Sequence, residues 1–124
     1  LEDAHAEVVK KTKDGVTAWI CAADHQAFDL MKALGEAGLK VPQDVSITGF
    51  DGLDPLEGQP KLTTVGIPFH QIGVIGGKRL LDLINKRFDS QQHILLNCEL
   101  ITGRSVNKPK AAKRNNPKRA SSDG

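Results

Sequence analysis

The 124-residue sequence contains no tyrosine, one tryptophan and four phenylalanines, so a folded core has to be built from Leu, Ile, Val and Ala rather than from large rings. Its two cysteines, Cys21 and Cys98, lack the paired spacing of a metal knuckle or a redox motif, and both sit in apolar strand-like runs. They are expected to be buried free thiols in a reducing cytoplasm. No apolar run approaches the roughly 20 residues that cross a bilayer, which argues against a membrane-spanning helix. The opening residues, Leu1 to His5, look like neither a signal peptide nor an initiator start, so the natural N-terminus is expected upstream. Phosphate loops are missing too, since neither G-x-G-x-x-G nor G-x-x-x-x-G-K occurs. No serine stands in a G-x-S-x-G elbow, and no cysteine has a cationic or helix-start setting that would activate it. The four histidines, His5, His25, His70 and His93, have no ligand spacing and are expected to be exposed, so no metal or other cofactor is implied.

What is present is an ordinary globular composition, 39% hydrophobic and 26% charged, of a size suited to one core. The net charge of +2 is unevenly placed. Residues 107–124 carry Lys108, Lys110, Lys113, Arg114, Lys118 and Arg119 against Asp123, which leaves −3 for residues 1–106. The body therefore has no basic surplus to hold a phosphate backbone. The tail is rich in Lys, Pro, Asn and Ser and is expected to be disordered; with no aromatic side chain to stack on a base, it reads as a solvated terminus.

Periodicity predicts an amphipathic helix over residues 2–13, with Ala4, Val8, Val9 and Thr12 on one side and Asp14-Gly15 as its stop. The apolar run from Val16 to Ala22 predicts a strand covered on both faces. A helix follows from Asp24, a candidate N-cap, with Ala27, Leu30, Met31, Leu34 and Ala37 as its core stripe and Gly38 as its stop. Pro42 is expected to keep the chain extended into a second covered strand at Val45 to Gly49, which makes a βαβ unit. Phe50 to Lys61 is a loop dense in Asp, Gly and Pro, Leu62 to Ile67 is extended, and a long helix runs from after Pro68 to about Arg87. Gly73, Gly76 and Gly77 in that helix imply close packing against a neighbour. A last strand covers Ile94 to Thr102. The fold class is α/β with a parallel sheet.

An open parallel sheet binds ligands outside the carboxyl ends of its strands, and both strands deliver an aspartate there, Asp24 and Asp51. A carboxylate accepts hydrogen bonds from neighbouring hydroxyls of a polyol and repels a phosphate, so such an edge suits a sugar. Each aspartate has a plainer alternative: Asp24 as a helix cap, Asp51 as a turn former before Gly52. Asp51 and Asp54 suggest a phosphatase D-x-D start, but the spacing is one residue too long. Phe28 lies just off its helix's core stripe and reads as either additional core or a subunit contact.

Taken together, I-C-A-A-D at 20–24, A-L-G-E-A-G-L-K-V-P-Q-D-V-S-I-T-G-F-D at 33–51, L-T-T-V at 62–65, the Ile72-Gly73 pair and E-L-I-T-G-R-S-V at 99–106 resemble the effector domains of LacI/GalR-family transcriptional regulators. The resemblance implies a two-lobed, periplasmic-binding-protein-like fold that is incomplete here, its α/β part a parallel-sheet, three-layer lobe. Residues 1–61 and 93–106 would belong to the C-terminal lobe, residues 62–92 would be the crossover and a helix of the other lobe, and residues 107–124 the tail. It implies a cytoplasmic, non-enzymatic homodimer with a sugar-type effector, which touches operator DNA only through an N-terminal domain absent from this sequence. That head is a helix-turn-helix or a winged helix. Carried over by motif, Asp51, Asp24 and Phe69 would contact the effector and Phe28 the dimer partner. Ala23 departs from the pattern, standing where many members have a sugar-bonding asparagine. The alternatives are a periplasmic sugar-binding protein of a transporter, which shares a G-F-D-G segment like that at 49–52, and a truncated product without activity of its own.

Overall fold

The computed structural model describes residues 2–55, 57–87 and 93–110. Helix α1 spans Glu2–Lys13, the predicted bounds, and Gly15 leaves it with a φ of 118° that an L side chain would resist. Strand β1 follows at Ala18–Ile20, then helix α2 at Asp24–Glu36, strand β2 at Ser46–Asp51, strand β3 at Thr63–Gly66, helix α3 at Phe69–Ile84 and strand β4 at Glu99–Ile101. The sheet order is β1-β2-β3-β4, with β1, β2 and β3 parallel and β4 returning antiparallel to β3. No described helix is long and apolar enough to cross a membrane.

The core is the α2 stripe laid on β2. Ala27, Leu30, Met31 and Leu34 repeat at helical spacing and meet Val45, Ile47 and Leu62, all buried. Fully burying a side chain such as Leu34 contributes roughly 1.5–3 kcal/mol, so this cluster is the main source of stability. Val8 and Val9 of α1 and Trp19 of β1 pack against it. Thr12 ties the two elements together: its hydroxyl donates to the Val8 carbonyl (2.8 Å) and accepts from the Trp19 indole N–H (2.9 Å).

Where the fold departs from expectation, the cause is what lies across each face. Strand β1 is an edge strand three residues long, and Ile20 is 88% exposed rather than covered. Ile20, Phe50, Val65 and Leu100 share the sheet face opposite α1 and α2, and Leu100 is 74% exposed. Among the described residues helices therefore cover one face, and the chain supplies two of the three layers. Residues Leu62 to Gly66 do not leave with the crossover: Leu62 is buried in the core and β3 is an inner strand paired to both β2 and β4. Pro42 lies in a turn over residues 41–44, behind a cis peptide bond, and does not extend the chain. The last strand is shorter than the predicted Ile94 to Thr102, since only Glu99–Ile101 pair with β3.

Helix α3 buries none of its residues. Phe69, Ile72, Leu80, Leu83 and Ile84 all face solvent, and among the described residues a Cβ at Gly73, Gly76 or Gly77 would meet nothing within 4 Å, so no close neighbour among them explains these glycines. Cys98 is exposed and Cys21 half-buried, against the expectation of two buried thiols.

One structural residue lies in the 99–106 motif but was given no role there. Ser105 is fully buried; its hydroxyl donates to the Ile47 carbonyl (2.6 Å) and accepts from the Thr63 N–H (2.8 Å), while its own carbonyl accepts from Ile47 N–H (2.8 Å). Gly103 makes this possible, because a Cβ there would stand 2.2 Å from the Lys61 carbonyl oxygen. The start of the tail is also held: Asn107 exchanges hydrogen bonds with the Ser46 hydroxyl, and Lys110 pairs with Asp44. The expected disorder of residues 111–124 lies outside the described residues.

Candidate functional site

The parallel strands β2 and β3 end side by side, with Asp51 paired to Gly66 and the Asp51 carbonyl accepting from Ile67 N–H (3.1 Å). Pro68 then turns the chain into α3, which sets Phe69 at its first position. A cleft of about 430 Å³ opens at this edge, lined by Asp51, Phe69, His70, Gln71, Asn97 and Glu99. Such a volume is in the range that holds a small ligand. Asp51 is half-buried there and Phe69 is 56% exposed, so a carboxylate and an aromatic ring are offered side by side.

The floor of the cleft is built by close backbone approach. Asp51 has a φ of 132° and Gly52 one of 83°. For a non-glycine residue that conformation costs on the order of 1–3 kcal/mol and persists only where the surroundings impose it. Gly52 also lies against β3, and a Cβ on it would stand 2.7 Å from the Gly66 Cα.

Of the residues expected at the site, Asp51 and Phe69 meet in the cleft, and Asp24 does not. Asp24 is completely buried and both of its oxygens are taken: Oδ2 accepts from Gly52 N–H (2.8 Å) and Leu53 N–H (2.7 Å), and Oδ1 from the Thr64 hydroxyl (2.6 Å). Nor is it the helix cap, because Ala23 occupies that position and no side chain bonds there. Its carboxylate serves the loop after Asp51. Phe28, expected at a dimer contact, is 3% exposed and belongs to the core cluster, which leaves it no surface to present to a partner.

Gln71, Asn97 and Glu99 were not singled out in the sequence, and His70 was set aside there as an exposed histidine without a site role. The signal for Asn97 and Glu99 was the polar phase of the last strand; the antiparallel return of β4, which sets Glu99 opposite Gly66, is what brings that phase to the cleft. A second cavity, about 410 Å³, lies between α3 and residues 94–98 and is mostly aliphatic. It brings no sequence-singled carboxylate to a ligand.

Burial, followed by the negative charge of Asp24, pushes the Cys21 thiol above its ordinary range. At neutral pH it stays protonated and is a poor nucleophile. Among the described residues no three His, Cys, Asp or Glu side chains gather as a metal site.

The comparisons with known proteins agree with this architecture. Residues 2–106 match the family model described as periplasmic binding protein-like domain. The HTH-type transcriptional regulator RegA of Clostridium acetobutylicum is 36% identical over 95 residues, which are 76% of this chain and 28% of RegA. A LacI family transcriptional regulator from Enterococcus faecium, solved with bound ribose, superposes with a TM-score of 0.76 at 30% identity, over 86% of this chain and 40% of that one. The lac repressor dimer bound to operator and the anti-inducer ONPF gives 0.68 at 28% identity, over 82% and 36%. The chain thus spans between about a quarter and two fifths of the length of these proteins. On the match across residues 2–106 and on the regulators it resembles, this chain belongs to the periplasmic binding protein-like domain family, in the form found in LacI-family transcriptional regulators.

Proposed function

We propose that this chain is the effector-sensing part of a LacI/GalR-type transcriptional regulator, and that its Asp51–Phe69 cleft takes a sugar-type small molecule. The observation that carries the reading is the meeting of Asp51 and Phe69 at the carboxyl edge of two parallel strands. The Asp51 carboxylate accepts hydrogen bonds from adjacent hydroxyls, and the exposed Phe69 ring packs on the apolar face of a sugar. Asn97 and Glu99 add polar partners on the far wall. Ala23 offers only a methyl group, so the ligand is held without the asparagine contact of many family members.

The regulator works in the cytoplasm as a homodimer, and a second lobe outside this chain closes the cleft. Operator DNA is contacted by a head that also lies outside it, in keeping with a body charge of −3 over residues 1–106. An effector that bridges the lobes favours one arrangement of the dimer, with a coupling of about 1–3 kcal/mol typical of such systems. No step in this scheme is catalytic. A transporter's binding protein is disfavoured, because the relatives are transcriptional regulators.

The test is made in the intact regulator that carries this sequence. Ribose, glucose and sucrose are titrated against operator binding and against thermal melting. Asp51→Ala is expected to weaken the sugar response about tenfold or more while operator binding without sugar stays intact. A full response in that variant would overturn the reading.

A further inference from the structure

We infer that Asp24 is a positioning residue for the effector cleft, one that fixes Asp51 in its positive-φ conformation by holding the two peptide N–H groups that follow it. The inference rests on the reading of Asp51 as an effector contact. Three observations converge on it. First, Asp51 has a φ of 132° and therefore needs an external restraint, because a relaxed L residue leaves that region. Second, the restraint is present and buried. Asp24, with no exposed surface, accepts Gly52 N–H and Leu53 N–H on one oxygen, and so sets the direction in which the chain leaves Asp51. Third, the fold fixes the other side of Asp24. The Thr64 hydroxyl donates to Oδ1, and Gly49 leaves room for the carboxylate where a Cβ would stand 2.1 Å from Oδ1. Position 49 lies two residues before Asp51 on β2, and Thr64 pairs with Gly49 across β3.

A buried carboxylate between three donors thus joins the first turn of α2, the end of β2 and the middle of β3 at a single point. A carboxylate with no exposed surface cannot reach a ligand, and the groups it holds are those that aim the Asp51 carboxylate at the cleft. Asp24 acts on the effector through Asp51.

The experiment uses the intact regulator with Asp24→Ala, Asp24→Asn and Thr64→Val, each made with and without Asp51→Ala. The asparagine variant is the conservative rescue: its one oxygen still accepts both peptide N–H groups while its NH2 donates to the Thr64 oxygen. Affinity is read for whichever of ribose, glucose and sucrose shifts melting most. Asp24→Ala is expected to weaken that affinity about tenfold or more, as for loss of charge-assisted hydrogen bonds, with Asp24→Asn recovering most of it. In the Asp51→Ala background the Asp24 change is expected to cost nothing further. Equal losses in both backgrounds would overturn the inference, as would full affinity in Asp24→Ala beside a loss in Asp51→Ala. If Asp51→Ala itself changes nothing, it is the effector reading that fails.

A second measurement needs no sugar. Hydrogen exchange in Asp24→Ala, or in Thr64→Val should the alanine variant fail to fold, is expected to lose protection at Gly52 and Leu53 while Ile47, bonded to the Ser105 carbonyl, keeps it. Uniform loss along β2 would show a general structural role and overturn the inference, and so would full protection at Gly52 and Leu53.

Discussion

Gly49→Ala tests the packing behind the cleft with the smallest possible change. The added Cβ would stand 2.1 Å from Asp24 Oδ1, 2.7 Å from Leu62 Cδ2 and 3.2 Å from the Asp24 Cα. The Leu62 methyl is the end of a side chain and can turn away. The Asp24 carboxylate cannot, because Thr64 holds Oδ1 at 2.6 Å and the Gly52 and Leu53 amides hold Oδ2. To reach ordinary contact Oδ1 must retreat by more than an ångström, which breaks the Thr64 bond and displaces the first turn of α2. Overpacking of this kind costs about 1–3 kcal/mol. A lost hydrogen bond to a buried charge adds about 1.5–3 kcal/mol, so the expected destabilisation is roughly 2.5–6 kcal/mol. Urea unfolding followed by circular dichroism reads the difference. Gly35→Ala, in α2 with nothing within 4 Å of its Cβ, is the control and should gain up to about 1 kcal/mol of helix stability. A Gly49→Ala protein within about 1 kcal/mol of the parent would refute the claim that Asp24 is rigidly placed.

Other consequences are open to direct measurement. Leu34→Ala, at a fully buried position of the α2 stripe, is expected to cost about 2–5 kcal/mol in the same unfolding assay; a loss under 1 kcal/mol would mean the site collapses around the gap. Alkylation with iodoacetamide at pH 8 should modify the exposed Cys98 well before Cys21, whose thiol is held protonated by burial and by Asp24, and equal rates by peptide mass spectrometry would contradict this. The 124-residue chain on its own is expected to self-associate through the bare sheet face and α3, with Ile20→Lys and Leu100→Lys reducing the association. A sharp monomer peak on sizing with cooperative melting would count against it. Gly73→Ala should raise α3 helicity by the equivalent of up to about 1 kcal/mol, since its Cβ meets nothing, and an unchanged 222 nm signal would show that α3 is already saturated.

Some of this molecule is written in short stretches of sequence. The bounds of α1, and the positions Ala27, Leu30, Met31 and Leu34 that anchor α2, follow from helical spacing, because a helix places residues three and four apart on one face whatever lies beyond it. The parallel β1-α2-β2 unit follows from alternating runs of the same kind, and the Asp51 edge follows from where a parallel sheet leaves its strand ends. Phe69 was legible only through the family resemblance, and its place beside Asp51 depends on β3 and the turn at Pro68.

What only the tertiary structure decided is which side chains face which neighbours. Asp24 looks like a cap or a ligand contact until its partners 28 to 40 residues away are in place. Phe28 lies at the border of its stripe, and the core it joins includes Val45, Ile47 and Leu62 from other elements. Ser105 is an ordinary serine in sequence, yet it bridges β2 and β3 from 58 and 42 positions away. Ile20 and the α3 leucines are apolar like any core residue, and nothing in their own sequence says whether a face is covered. Local propensity depends on neighbours in the chain, so the sequence alone determined which elements form and in what order, while pairing across the sheet set where β1 and β4 end. Burial and hydrogen-bond partnership depend on groups brought together only by folding, so these were decided in three dimensions.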